Sequence, residues 1–395
     1  MAGQIGVAQR RARLAVRHRL ARDSRAGSAV EVAADLVALH ATDPATVHLS
    51  ATARLREPDI AAVETALYED RTLVRMLGMR RTVFVVPRDS VPVIQAACTD
   101  AVAAVNRRRL GRLLVDSGVT DEPDKWLAAA GEATLAALGQ LGEATGTELA
   151  AQVPALRTRV GMASDKPYGT TANLTSQVLF LLASEGYIVR GRPRGSWISS
   201  QHRWSLLGDW LPDGLPEWSA PAARTELARQ WLRAYGPAPV TDLRWWTGWG
   251  AGDTRQALAA LDVVEVELAG AGTGLLLAED ADPVPEPQPW VALLPALDPT
   301  VMGWLDREWF LGPYGPALFD RTGNAGPTVW VDGRVVGGWA QGTGGQVRYR
   351  LLEDVGAAAG GRIAAAAEAL TARLGPVRVT PRFRTPLEKE LSSQP

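Results

Sequence analysis

The sequence predicts an α+β, mostly helical protein built from three tandem winged-helix units and a C-terminal β-rich, barrel-like module. Three observations lead there. Apolar residues at helical spacing are followed by a short strand pair three times along the chain, a Pro- and Asp-rich stretch at 280–289 interrupts the pattern, and beyond it the chain reads as strands.

The first unit, 1–90, places helical segments around 10–20, 30–39 and 60–70 ahead of the apolar runs 73–77 and 82–86, which flank Gly78 as a hairpin. Its basic start, Arg10 to Leu20, has too many arginines inside the apolar run for a signal peptide and reads as an exposed amphipathic helix of a cytoplasmic, nucleoid-associated protein. A helical connector spans 91–142. The second unit, 143–215, opens at Thr145, whose spacing to Glu148 matches a capping box.

In this unit Leu174, Val178, Leu181 and Leu182 mark a helix ending at Gly186, with Thr171, Asn173 and Gln177 among small polar groups at its start. The runs 187–190 and 196–199 then pair around a turn carrying Arg190, Arg192 and Arg194. The third unit, 220–280, ends in a hairpin around Gly270 to Gly274 with an uncharged tip, suited to packing against neighbours. The module at 290–385 contains strands at 291–294, 328–331, 335–339, 346–351 and 377–379, a helix at 360–374, and an Asp332-Gly333 turn. The end, 388–395, is expected to fray.

Composition narrows the chemistry. The chain has 395 residues, a formal net charge of −1, one cysteine and four histidines. Cys98 alone forms no internal disulfide, and the dispersed histidines argue against a structural metal, so neither a metal nor a cofactor is expected. Near-zero charge means that any DNA contact is a local patch. Lys125, Lys166 and Lys389 are the only lysines, which disfavours covalent lyase chemistry through a Schiff base. No apolar run reaches the roughly 20 residues of a membrane span.

Each candidate motif has two readings. The polar helix start at Thr171, Asn173 and Gln177 either reads bases in a groove or is a well-capped helix terminus. The arginine turn either grips phosphate or is a solvated loop. The tryptophans either stack on bases or, as the neighbours of Trp245, Trp246 and Trp330 suggest, fill core. His40 ends an apolar helix and is followed by Thr42 and Asp43, a cluster able to hold and polarise water; equally, His40 is stabilised by the helix dipole and Asp43 caps the next turn.

The stretch 36–55 resembles the motif region of the AlkZ/YcaQ-like DNA glycosylases, where Gln-x-Gln or Gln-x-Asp is found. Met79-Arg80-Arg81-Thr82-Val83-Phe84-Val85-Val86-Pro87 looks like that family's strand after its first winged helix. Leu294-Pro295-Ala296-Leu297-Asp298-Pro299, with Asp306-Arg307, looks like the approach to its barrel. The resemblance runs over nearly the whole chain, and it departs at the centre, with His40 and Thr42 standing where the two motif residues would be.

The resemblance implies monofunctional excision of alkylated, often bulky, purines from duplex DNA. His40, Thr42 and Asp43 are then the catalytic candidates, and Arg190, Arg192 and Arg194 hold phosphates. A noncatalytic winged-helix regulator or damage sensor is the alternative, and the expected state is a monomer.

Overall fold

A computed structural model describes residues 3–161 and 171–393. The protein is mixed α+β and about half helical. The motif segment is held by the N-terminal part, where the helices Ala29–Asp35 and Ile60–Tyr68 pack on an antiparallel pair, Leu73–Leu77 with Val83–Pro87, and Pro44–Thr52 packs on both helices, while Val7–Arg17 precedes them. The short strand Leu39–His40 adds to the other edge of Val83–Pro87, with His40 opposite Phe84. Their interior is aliphatic: Val32, Leu36, Leu39, Val63, Leu73 and Val85 are buried in one cluster.

The basic N-terminal helix is not exposed as expected. Arg10 and Arg13 are each only 2% exposed. Arg13 donates to the carbonyls of Asp280 (2.8 Å) and Asp282 (2.6 Å), Gln9 donates to that of Val284 (2.9 Å), and the Arg10 guanidinium lies 4.1 Å from the Trp309 ring centroid. The Pro-rich stretch has no ladder partner for its carbonyls, and Arg13 and Gln9 satisfy those of Asp280, Asp282 and Val284.

The helices Asp100–Asp116 and Pro123–Leu141 lead to Gly146–Gln152, which carries the full Thr145/Glu148 capping box. The expected helix over 170–184, whose first position lies outside the described residues, is shorter than its pattern. Thr171–Asn173 is a strand paired with Arg159–Gly161, and the helix is Thr175–Ser184. The following hairpin is longer than expected: Ile188–Pro193 pairs with His202–Leu206, leaving 194–201 as the loop. Arg190 and Arg192 therefore lie within a strand, and only Arg194 belongs to the turn. Leu174, Val178, Leu182 and Ile188 join a separate core with Leu110, Leu114 and Leu138.

The helices Ala220–Tyr235, Val240–Thr247 and Ala251–Ala259 precede the hairpin Val263–Leu268 with Gly272–Leu277, to which Gln4–Ile5 adds in parallel. Beyond the linker, Val291–Leu294, Thr328–Val331, Arg334–Gln341 and Val347–Leu351 form a four-stranded antiparallel sheet in that order. Asp332 (φ 46°) and Gly333 (φ 82°) make its first tight turn.

The sheet does not close into a barrel. Both faces are already buried, which removes the incentive to curl. Leu293, Val329 and Val336 face Ile363, Ala367 and Leu370 of the helix Gly356–Leu374, whereas Leu294, Trp330 and Val335 face the large core. Nor is 377–379 a strand. The Gln341 side chain takes its polar groups instead, donating to the Val377 carbonyl (3.0 Å) and accepting from the Val379 amide (2.8 Å). The helix Pro386–Ser392 orders most of the expected frayed end, with Leu387 and Leu391 buried.

Candidate active site

The segment 40–43 joins a strand to a helix. The sequence pattern places His40 at a helix end, but that helix stops at Asp35, and Val37 (φ 64°) turns the chain so that Leu39 and His40 pair with Val85 and Phe84. His40 is 6% exposed, its ring 5.2 Å from that of Phe84, and its Nδ1 has no partner among the described residues. Burial, assisted by the Arg80 guanidinium, pushes its pKa down to about 3. The imidazole is therefore neutral at physiological pH.

Thr42 is half-buried. Asp43 takes the capping role that its spacing allowed: its Oδ1 accepts from the Ala45 amide (3.1 Å) at the start of Pro44–Thr52, while Oδ2 accepts from the Arg382 amide (2.9 Å). Burial raises its carboxyl above the usual range, against those two amides and the Arg382 and Arg75 charges. His40 and Asp43 thus face different surroundings. Arg80 and Phe84 bear on the first; Arg382 and Arg75 bear on the second.

Arg75 was invisible to motif reading. It stands in the apolar strand Leu73–Leu77, only 3% exposed, and its Nη1 donates to the Ala41 carbonyl (3.2 Å), inside the motif segment. The same Nη1 lies 3.5 Å from His202 Nε2. Its Nε and Nη2 have no partner among the described residues, and neither does the neighbouring Tyr68 hydroxyl. Burial, with Arg75 and Arg190, pushes His202 down to about 3, so this imidazole is neutral too. A lone arginine within an otherwise apolar strand is the signal that could have found this cluster.

The three hairpin arginines do not share a tip. Arg190 is half-buried, 5.5 Å from the Trp204 ring centroid, and burial together with Arg75 and Arg382 pushes it down to about 10. Arg192 is engaged by Glu69 (3.2 Å) and lies 5.1 Å from the Tyr68 ring centroid. Arg194 is exposed, with its amide bonded to the Gln201 carbonyl (2.8 Å).

A groove of about 1290 Å³ opens beside this hairpin. Asn173 and Gln177 line it as expected of the polar segment, although Asn173 does so from a strand. The side chain of Thr171 lies outside what is described, as does all of 162–170, Lys166 included. Arg190 and Trp204 line the same groove, as do Arg81, Asn106, Arg109 and Arg157, none of which the sequence singled out for contact. Four guanidinium groups along one groove suit a polyanion. Trp245, expected in the core, is only partly buried and lies under two cations, Arg80 at 4.0 Å and Arg307 at 4.8 Å. No cluster of metal-ligating side chains occurs among the described residues.

The fold is similar to that of Streptomyces sahachiroi DNA glycosylase AlkZ. The TM-score is 0.71 at 21% sequence identity, and the match covers 96% of this chain and 100% of that one. No curated protein matches the sequence. A family model described as DNA glycosylase AlkZ-like matches residues 33–373, which include the motif segment, the groove and the sheet. The chain belongs to the AlkZ-like DNA glycosylase family.

Proposed function

We propose that the chain is a monofunctional DNA glycosylase that excises alkylated purines, bulky adducts among them, by attack of water on the N-glycosidic bond. The observation that carries this reading is the neutral imidazole of His40, whose Nδ1 has no partner among the described residues. Alkylation at a ring nitrogen makes the purine cationic, so it departs as a neutral base without a proton from the protein. What remains to be supplied is an acceptor for the water and stabilisation of an oxocarbenium-like sugar. A neutral imidazole can accept a hydrogen bond from water, and the Asp43 carboxylate adds negative charge to the same segment. Thr42 assists as a further hydroxyl.

In this reading duplex DNA lies along the arginine-lined groove, with Asn173, Gln177 and Thr171 near the bases. Arg190, Arg192 and Arg194 serve phosphates, the last with least competition from the protein's own carboxylates. The helix-plus-hairpin segments 1–90, 143–215 and 220–280 act as tandem winged-helix units around the connector 91–142, with 290–385 as the sheet module. The protein works as a cytoplasmic, nucleoid-associated monomer.

The test is release of free base from a duplex carrying N7-alkylguanine. His40→Ala and Asp43→Asn should each lower turnover by about 10²-fold or more, the scale of lost acid–base or electrostatic assistance. Affinity for the duplex should change little. Absence of base release across a panel of alkylated duplexes, with binding retained, would replace this reading by that of a noncatalytic regulator or damage sensor.

A further inference from the structure

Arg75, Arg190 and Arg382 come from three distant parts of the chain and converge beside the motif segment. They are graded in depth. Arg382 is exposed and its Nη1 is 3.5 Å from the Thr42 carbonyl, Arg190 is half-buried in the groove wall, and Arg75 lies beneath, 3% exposed. Arg75 and Arg190 together line a smaller recess next to the main groove, with Trp204 between the two cavities.

No ion pair is made by any of these three side chains among the described residues, although carboxylates are near. Asp43 turns its two oxygens to the amides of Ala45 and Arg382, and Glu64 and Glu69 are taken up by Arg192. The remaining neighbours carry no negative charge that could help: His202 and His48 are neutral imidazoles, and Tyr68 keeps its proton because burial raises its pKa. Two buried nitrogens of Arg75 are left without an acceptor among the described residues. Leaving such donors unmet is costly, and like charges gathered in a partly dry pocket repel one another. A tetrahedral anion would relieve both conditions.

We propose that Arg75, Arg190 and Arg382 form the binding site for a single backbone phosphate of the DNA duplex, adjacent to Thr42 and Asp43. The proposal rests on the reading of the chain as a DNA glycosylase and specifies one contact within it. Because Arg75 also donates to the Ala41 carbonyl, the bound phosphate and the motif segment are tied to the same guanidinium. Phosphate binding therefore sets the register of the lesion against His40 and Asp43.

The experiment measures equilibrium affinity for duplexes bearing one N7-methylguanine and one neutral methylphosphonate, moved linkage by linkage along the strand. The wild-type protein should lose about tenfold in affinity at one linkage near the lesion, the scale of a charged hydrogen-bonded contact. Arg190→Gln and Arg382→Gln should each bind the unmodified duplex less well and show a smaller loss than wild type at that linkage, since one of its charged contacts is already gone. Arg382 is exposed, so its variant tests the site even if changes at Arg75 impair folding.

Equal penalties in wild type and variants would overturn the site while leaving duplex binding and base release intact. Failure of the wild type to bind any duplex would instead overturn the glycosylase reading and the site together. In the absence of DNA, Arg190→Gln should melt no lower than wild type because it removes repulsion. A lower melting temperature combined with equal methylphosphonate penalties would identify a purely structural arginine.

Discussion

Replacing Asp298 tests how the motif helix is fixed to the sheet module. Arg54 and Asp298 form an ion pair at 2.7 Å with both side chains fully buried. Every Arg54 donor is used. Nε donates to the His18 carbonyl (3.0 Å), Nη1 to the Ser50 carbonyl (2.7 Å) and Asp298 Oδ2 (2.9 Å), and Nη2 to Asp298 Oδ1 (2.7 Å) and Thr300 Oγ1 (2.7 Å). Asp298 also accepts from the Ser50 hydroxyl (2.7 Å) and the Thr300 amide (2.9 Å).

Asp298→Ala removes the acceptor of all four of its hydrogen bonds and strands a desolvated guanidinium. Breaking a buried pair from one side costs about 3–5 kcal/mol. The loss should appear as a lower denaturant midpoint, followed by tryptophan fluorescence. Asp298→Asn should cost a similar amount, since its amide nitrogen must face a donor. The double variant Arg54→Met with Asp298→Leu should recover most of the stability, because it leaves no buried charge behind. A single-variant loss below about 1 kcal/mol, or a double variant no better than Asp298→Ala, would refute this account of the pair.

Other expectations follow from the same charges. His18, His40 and His48 are each pushed down to about 3, chiefly by burial, so between about pH 6.5 and 3 the unfolded chain binds protons that the native chain refuses. Stability then falls with falling pH, by up to ~1.4 kcal/mol per pH unit for each histidine. Asp242, raised to about 6 by burial, opposes this below its own pKa. A urea midpoint that stays flat or rises from pH 7.5 to 5 would contradict the balance. Arg194→Ala should reduce the slope of log affinity against log salt by about 0.9 if that exposed side chain meets one phosphate. Arg192→Ala should change the slope less, since Glu69 already engages it. The Cys98 thiol, buried and pushed up to about 12, should react with a disulfide reagent at pH 8 only as the protein unfolds. Stoichiometric labelling of the native protein would place this thiol in solvent.

The features legible in the sequence were those fixed by neighbours along the chain. The Thr145/Glu148 box and the Asp332-Gly333 turn each depend on a few adjacent residues, and both form. The hairpin register of 188–206 was misread because the Gly/Pro cluster resembles a tight turn, whereas the strand continues to Pro193. His40 was misplaced because two strand residues are too few to show alternation, and their pairing partner lies more than forty positions on. The cluster around Arg75 could not be assembled from local pattern, since Arg190, His202 and Arg382 reach it from remote segments. The Arg13 acceptors are backbone carbonyls in the linker, which no side-chain motif records.

The charges around the motif segment divide the work that base excision would require. On one flank stands His40, neutral and next to Phe84; on the other, Arg75 and Arg382 bear on Asp43, with Arg190 beyond them. An oxocarbenium-like sugar would be disfavoured by those cations if they were left bare. A phosphate seated among them offsets part of that field, and the Asp43 carboxylate offsets a further part beside the motif. The arginine cluster therefore suits an enzyme whose site becomes electrostatically competent only with DNA in place. Removing the phosphate contact should then depress the rate of base release at saturating duplex as well as the affinity. An affinity loss with an unchanged single-turnover rate would confine the cluster to holding the substrate.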